Sequence, residues 1–242
     1  MHRIVVANAK GGCGKSLVAT SLAGFFAHHG RKTTLVDCDP QQASAAWCAD
    51  RPRNLPAIAA ISVSDPTFGI GAGLALRVPP ATEFLLIDTP AGLRSHQLSQ
   101  LTRNAGVLLV PVVPSATDLR VTAGFLQSLH SLPEVRSGAL RVGIVANRVR
   151  ERTLAARALS AGLDKLARAA LVRIRDSQVY VNLAASGRSV FDDPGTSARE
   201  HRGDWLPLLG WLLNPGRPTL SADLLLPAAN DTSGPAEAVP AV

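Results

Sequence analysis

The chain has 242 residues, 46% of them hydrophobic and 18% charged, with a formal net charge of +7 and a pI near 10.1. That suits one globular domain with a large core, and no stretch reaches the roughly 20 uninterrupted apolar residues of a membrane span. Cys13, Cys38 and Cys48 show no metal-ligand spacing, and their odd number argues against a disulfide framework and for a cytoplasmic protein.

The elements alternate along the chain. Ile4–Asn8 reads as a strand, and the apolar run that the N-terminus enters there is too short for a signal peptide. Ser16–His29 reads as a helix capped by Gly30, Thr33–Asp37 as a second strand and Gln41–Asp50 as a second helix. Residues Arg51–Pro80 are rich in Pro, Gly and small residues and show no clear element. Glu83–Asp88, Gly106–Val113 and Leu140–Asn147 are β-rich runs followed by helices at Ser95–Asn104, Asp118–Ser131 and Thr153–Ala169. A short strand at Leu171–Ile174 and a helix at Ser197–Leu213 complete a domain of residues 1–213. Residues 214–242 turn to Pro, Ala and Ser and read as a flexible tail. Apolar strands alternating with helices predict a three-layer α/β/α fold with a mostly parallel sheet. Such sheets bind ligands at the carboxyl ends of their strands.

Ala9-Lys10-Gly11-Gly12-Cys13-Gly14-Lys15-Ser16 lies between the first strand and the first helix, where a phosphate loop belongs. Glycines let backbone N–H groups turn inward onto phosphate oxygens, and the helix N-terminus adds its dipole. In such a loop Lys15 reaches the β- and γ-phosphates and Ser16 ligates Mg²⁺. Downstream, Asp37-Cys38-Asp39-Pro40-Gln41 ends a strand with two carboxylates two residues apart. Phe84-Leu85-Leu86-Ile87-Asp88 reads as a Walker B strand that delivers Asp88 beside the metal, and Gly92 follows with a backbone N–H for the γ-phosphate. Asn147 sits at a strand end, where P-loop proteins read the base. Guanine readers carry Asp three residues later, and here that residue is Arg150, which favours adenine. A strand-end Asn can also simply cap a turn.

The form Lys-Gly-Gly-x-Gly-Lys-Ser resembles the deviant Walker A motif of the ParA/MinD family of ATPases. The segment Asp176–Val181, with Gly187 and Ser189-Val190-Phe191 after it, resembles the compact ParF-like and McdA-like branch, which includes carboxysome positioners. The resemblance spans about residues 3–213 and implies an ATPase that uses ATP and Mg²⁺. By resemblance Lys10 reaches across a dimer interface to the partner's phosphates, joining Lys15 and Asp39 in catalysis. Asp39 orients the attacking water, and Asp37 joins Ser16 and Asp88 around the metal. Gly11, Gly12, Cys13 and Gly14 complete the nucleotide-binding loop, with Gly12 where two loops face each other. Pro114–Asp118 resembles the family's loop beside the base, although Asp118 fits a helix N-cap equally well.

The resemblance further implies an ATP-dependent homodimer, non-specific binding to nucleoid DNA, and a cargo adaptor that stimulates a slow basal hydrolysis. The chain starts at its first strand, so the helix-turn-helix domain that some ParA proteins carry before it is not expected. The basic balance fits a polyanionic partner, as it fits a basic proteome, since 21 of the 25 cationic residues are Arg. Candidate DNA contacts are Arg148, Arg150, Arg152, Arg157, Lys165 and Arg168, in an Arg-rich window ending at Arg175 that could equally be a solvated face. A MinD-like membrane regulator would need a basic amphipathic helix near the C-terminus, and the tail is acidic and proline-containing instead. An iron–sulfur reductase would need paired cysteines, and an amidotransferase a second substrate site. Neither pattern is seen.

Overall fold

The structure is a computed structural model that describes residues 1–63, 77–165 and 170–214. The expected tail, residues 214–242, lies outside the described residues except for Asn214. At its centre lies a parallel sheet of seven strands: β1 (His2–Val6), β2 (Thr33–Asp37), β3 (Ala59–Ser62), β4 (Phe84–Asp88), β5 (Val107–Val112), β6 (Arg141–Val149) and β7 (Ala170–Arg175). Their order is β3-β2-β4-β1-β5-β6-β7, and every described pairing is parallel. Between the strands run α1 (Lys15–His28), α2 (Ala43–Ala49), α3 (Ser95–Thr102), α4 (Ala116–Leu129), the short α5 (Pro133–Arg136) and α6 (Leu154–Lys165), and after β7 come α7 (Gln178–Ala184) and α8 (Thr196–Leu213).

Alternation along the strands divides the core. Val5 and Ala7 of the first strand and its extension, with Val36, Leu85, Ile87, Leu108 and Val110, face α3, α4 and α6 through Leu98, Leu101, Phe125, Leu129 and Leu159. Ile4 and Val6, with Leu35, Leu86, Leu109, Val145 and Val172, face α1, α7 and α8 through Leu22, Phe26, Leu183, Trp205 and Leu208. Strands β2, β4 and β5 are buried along their whole length, and β4 and β5 read as near-continuous apolar runs, as strands covered on both faces do. Helix α1 is buried continuously from Val18 to Ala27, and Phe26 stacks on Phe84 of β4 with ring centroids 3.8 Å apart. Burying one such ring contributes about 1.5–3 kcal/mol. The helix stops at a Schellman turn. Gly30 takes φ 71° while Arg31 N–H donates to Phe26 O and Gly30 N–H to Ala27 O, both at 3.0 Å.

Several expectations shift. Strand β6 runs on to Val149, past Asn147, with irregular pairing between Ala146 and Val149. Helix α4 begins at Ala116 because Ser115 is the cap: its Oγ accepts from Asp118 N–H at 3.0 Å. Asp118 is therefore not the N-cap. The segment after Asp176 forms α7, capped by the Ser177 hydroxyl. Part of the featureless stretch forms β3 on the sheet edge, while residues 64–76 lie outside the described residues.

Candidate nucleotide and metal site

Three strand ends, those of β1, β2 and β4, converge at the centre of the sheet. The loop after β1 is braced from below. Asn8, buried, accepts from Lys10 N–H at 3.2 Å and donates to Pro111 O at 2.7 Å and Thr122 Oγ1 at 2.9 Å. The loop's carbonyls are occupied: Cys13 Sγ and Lys15 Nζ reach Lys10 O at 3.2 and 3.3 Å, Gly92 N–H reaches Ala9 O at 3.1 Å, and Asn147 Nδ2 reaches Cys13 O at 2.9 Å. The N–H groups of residues 11–17, by contrast, donate to no backbone oxygen among the described residues, and those of Cys13 and Lys15 meet only the Cys13 sulfur. Carbonyls tied back and amides that face no oxygen make an anion-binding nest. Gly14 has no substitute here. Its φ is 99°, and an added Cβ would lie 1.9 Å from Asn147 Nδ2. Lys15 is buried in the same loop, while half-buried Lys10 curls back so that its Nζ donates to Gly11 O at 3.0 Å.

The carboxylates come from neighbouring strands. Asp37 and Asp88 are partners in the β2–β4 register, and both are buried. Asp37 is fully engaged, since Oδ1 accepts from Asp39 N–H and Oδ2 from Ala45 N–H, each at 2.9 Å. Asp88 is half engaged. The Ser44 hydroxyl donates to Oδ2, and Oδ1 is buried without a partner. Burial pushes the Asp88 carboxyl up to about 6 against the hydrogen bonds of Ser44 and Ser16, with Asp37 adding repulsion and Lys15 opposing it. An orphaned carboxylate oxygen beside Ser16 fits a divalent cation. Among the described residues no group of three His, Cys, Asp or Glu gathers, so a cation held here takes most of its oxygens from phosphate and water, as Mg²⁺ does. Asp39 is half-buried and accepts from Gln41 N–H at 2.9 Å. Gly92 N–H is held by Ala9 O, so offering it to a phosphate requires that bond to open. Burial pushes the Cys38 and Cys48 thiols up to about 12, which leaves them inert.

Beside the loop opens a cavity of about 450 Å³ lined by Leu17, Asn147, Arg148, Asp176, Ser177 and Tyr180 among others. Asn147 is fully buried, and its Oδ1 has no partner. Asp176 also borders this cavity, and Arg150 Nε holds its Oδ2 at 2.7 Å. The residue three beyond Asn147 thus brings a carboxylate to the pocket through an ion pair. Ser44 escaped the sequence reading, and Asp176 entered it only as part of the Asp176–Val181 segment, without a site role; the sign of each is its place one short segment beyond a recognised strand end.

The Arg-rich window divides. Arg150 is paired with Asp176, and Arg175 is clamped by Asp204, with its two shortest contacts at 2.7 and 2.8 Å. Arg152, Arg157 and Arg173 line one open cavity of about 600 Å³ with Glu151, and Arg148 is exposed. Arg168 and the side chain of Lys165 lie outside the described residues. No helix of the described residues is long and apolar enough to cross a membrane.

Residues 4–190 match the CobQ/CobB/MinD/ParA nucleotide binding domain. The chain is similar to Maintenance of carboxysome distribution protein A of Halothiobacillus neapolitanus, 30% identical over 189 residues that cover 78% of this chain and 86% of that protein. It is similar to the chromosome-partitioning ATPase Soj of Thermus thermophilus, 30% identical over 194 residues, 67% of this chain and 76% of that one. The solved ATP complex of Cyanothece McdA shares the fold with a TM-score of 0.63 at 18% identity, covering 84% of this chain and 96% of its own. With a nested glycine-rich loop, paired strand-end carboxylates and a match across most of its length, the chain belongs to the CobQ/CobB/MinD/ParA nucleotide-binding family, whose ParA/MinD-type ATPases include proteins of positioning and partitioning.

Proposed function

We propose that the chain is a dimerising ATPase that binds nucleoid DNA without sequence preference when loaded with ATP, and positions or partitions a cargo under the control of an adaptor that stimulates hydrolysis. The observation that carries this reading is the pairing of an amide nest at residues 11–17, whose N–H groups meet no backbone oxygen, with the unpartnered Asp88 oxygen. The nest and Lys15 would hold the phosphates, while Ser16 and Asp88, with Asp37 behind them, would hold Mg²⁺. A cation held by these residues would supply charge neutralisation for the transferred phosphoryl group. Asp39, less buried than Asp37, is free to turn toward a water and orient it. Asn147 and Asp176 would border the adenine. Lys10 has only the Gly11 carbonyl to leave before it can extend to a partner's phosphates. That extension couples dimerisation to ATP.

Arg152, Arg157 and Arg173, around one cavity with no ion-pair partner among the described residues, offer phosphate contacts that a dimer would double. With about 2–3 contacts per subunit, log affinity falls with log salt at a slope of roughly −4 to −5. The test is a salt titration of duplex DNA binding with a non-hydrolysable ATP analogue and with ADP, alongside light scattering. The analogue gives a dimer and that slope, and ADP gives weak binding. Lys10→Ala blocks the dimer and Arg152→Glu with Arg157→Glu blocks DNA alone. Equal DNA affinity in both nucleotide states would refute the switch.

A further inference from the structure

Asp88 keeps one oxygen free because something holds the other. Ser44 is completely buried in the first turn of α2, and its hydroxyl donates to Asp88 Oδ2. One residue on, Ala45 N–H donates to Asp37 Oδ2 at 2.9 Å. A helix of seven residues has no stability of its own, so the place of Ser44 depends on what fastens α2. At its start, Gln42 adopts φ 52°, a left-handed conformation that turns the chain out of the Asp37–Gln41 segment. At its far end, Trp47 Nε1 donates to Arg188 O at 3.2 Å, and Arg51 lies over the Trp47 ring at 5.2 Å. Arg51 in turn grips Asp192 at 2.7 and 2.9 Å and Gly187 O at 3.2 Å. The helix is thus pinned at one end to both strand-end carboxylates and at the other to the 187–192 segment.

We propose that Ser44 is a positioning residue of the metal site: its hydroxyl fixes Asp88 so that Oδ1 is presented to the cation, and α2 holds that hydroxyl in place. The inference rests on the reading of Asp88 as a metal carboxylate. Groups that orient a metal's ligands are worth about 10–100-fold in metal affinity when removed. A hydroxyl that only satisfied its own burial would influence folding and leave metal dependence unchanged.

The experiment measures the affinity of the full chain for fluorescent ADP in excess MgCl₂ and in EDTA, for wild type, Ser44→Ala and Ser44→Thr. The ratio of the two affinities reports metal coupling apart from turnover. In Ser44→Ala the EDTA affinity stays within about twofold, while the gain from Mg²⁺ shrinks by about tenfold or more. Ser44→Thr, which keeps the hydroxyl, restores most of that gain. Ser44→Cys, close in size with a weaker donor, shows an intermediate loss and carries the same test if the alanine variant lacks a cooperative melt. An unchanged or larger Mg²⁺ gain in Ser44→Ala overturns the proposal, as does an equal loss with and without Mg²⁺. If wild type shows no Mg²⁺ gain at all, the metal reading itself fails, an outcome distinct from wild-type coupling that survives the loss of Ser44.

Discussion

Asp88, at the end of β4, and Asp192, in the turn before α8, are both buried carboxylates, and they are treated in opposite ways. Asp192 has every oxygen occupied: Arg51 reaches both at 2.7 and 2.9 Å, and Ser189 adds its N–H and hydroxyl at 2.8 and 2.7 Å. Burial alone would raise its carboxyl. The His28 ring, at 3.8 Å too distant for a hydrogen bond, the Arg51 fork and the Ser189 donors together hold it well below the usual carboxylate range. Asp88 has the Ser44 hydroxyl on Oδ2, the Ser16 hydroxyl close by, an Oδ1 without a hydrogen-bond partner and a carboxyl pushed up to about 6 by burial. A buried charge with all its partners present fastens the fold, while one with a partner missing marks where a ligand completes the structure.

The largest expected effect comes from breaking the satisfied pair. Arg51→Met strands the Asp192 charge and costs about 3–5 kcal/mol in urea unfolding, whereas Asp88→Asn costs the nucleotide-free protein less than about 1 kcal/mol and removes the Mg²⁺ dependence of ADP binding. Equal losses of stability in the two variants would erase the contrast. Next comes acid. Because the folded-state carboxyl of Asp192 is depressed, its contribution is fully present above the unfolded value of about 3.9 and is lost as pH falls through that value toward the lower folded one. Urea midpoints taken between pH 6 and pH 3 should therefore fall more steeply in wild type than in Asp192→Asn.

Smaller effects test the surroundings of the unsatisfied carboxylate. Gln42→Gly relieves the left-handed entry to α2 and gains about 1 kcal/mol in thermal unfolding. A loss instead would mean that the Gln42 side chain stabilises the turn. At the surface, Arg150→Ala breaks an ion pair whose Arg is 76% exposed and shifts stability by no more than about 0.5 kcal/mol. A larger loss would class the Arg150–Asp176 pair with Arg51–Asp192.

The sequence made the centre of the sheet readable for a physical reason. Strands buried on both faces are near-continuous apolar runs, so β4 was expected within Glu83–Asp88 and is found at Phe84–Asp88, and the loop and its carboxylates follow strand ends at fixed offsets. Short peripheral elements carry no such signal. Helix α7 buries only Tyr180 and Leu183, and half of β3 is exposed. The role of Ser44 depends on the β2–β4 register, and that of Arg51 on a partner 141 residues away. The Arg-rich window looked uniform because the acids that neutralise Arg150 and Arg175 are Asp176 and Asp204, beyond its end.

The bond from Asn147 to the Cys13 carbonyl joins residues 134 positions apart, and Asn8 is braced by Pro111 and Thr122. A chain leaving the ribosome at about 5–20 residues per second emits its phosphate loop among the first segments. That loop then waits several seconds or more for the strand that holds it in shape. Nucleotide binding is accordingly a late event in the life of a nascent chain, and a chain halted before β6 carries the whole glycine-rich motif without the brace that makes it a receptor.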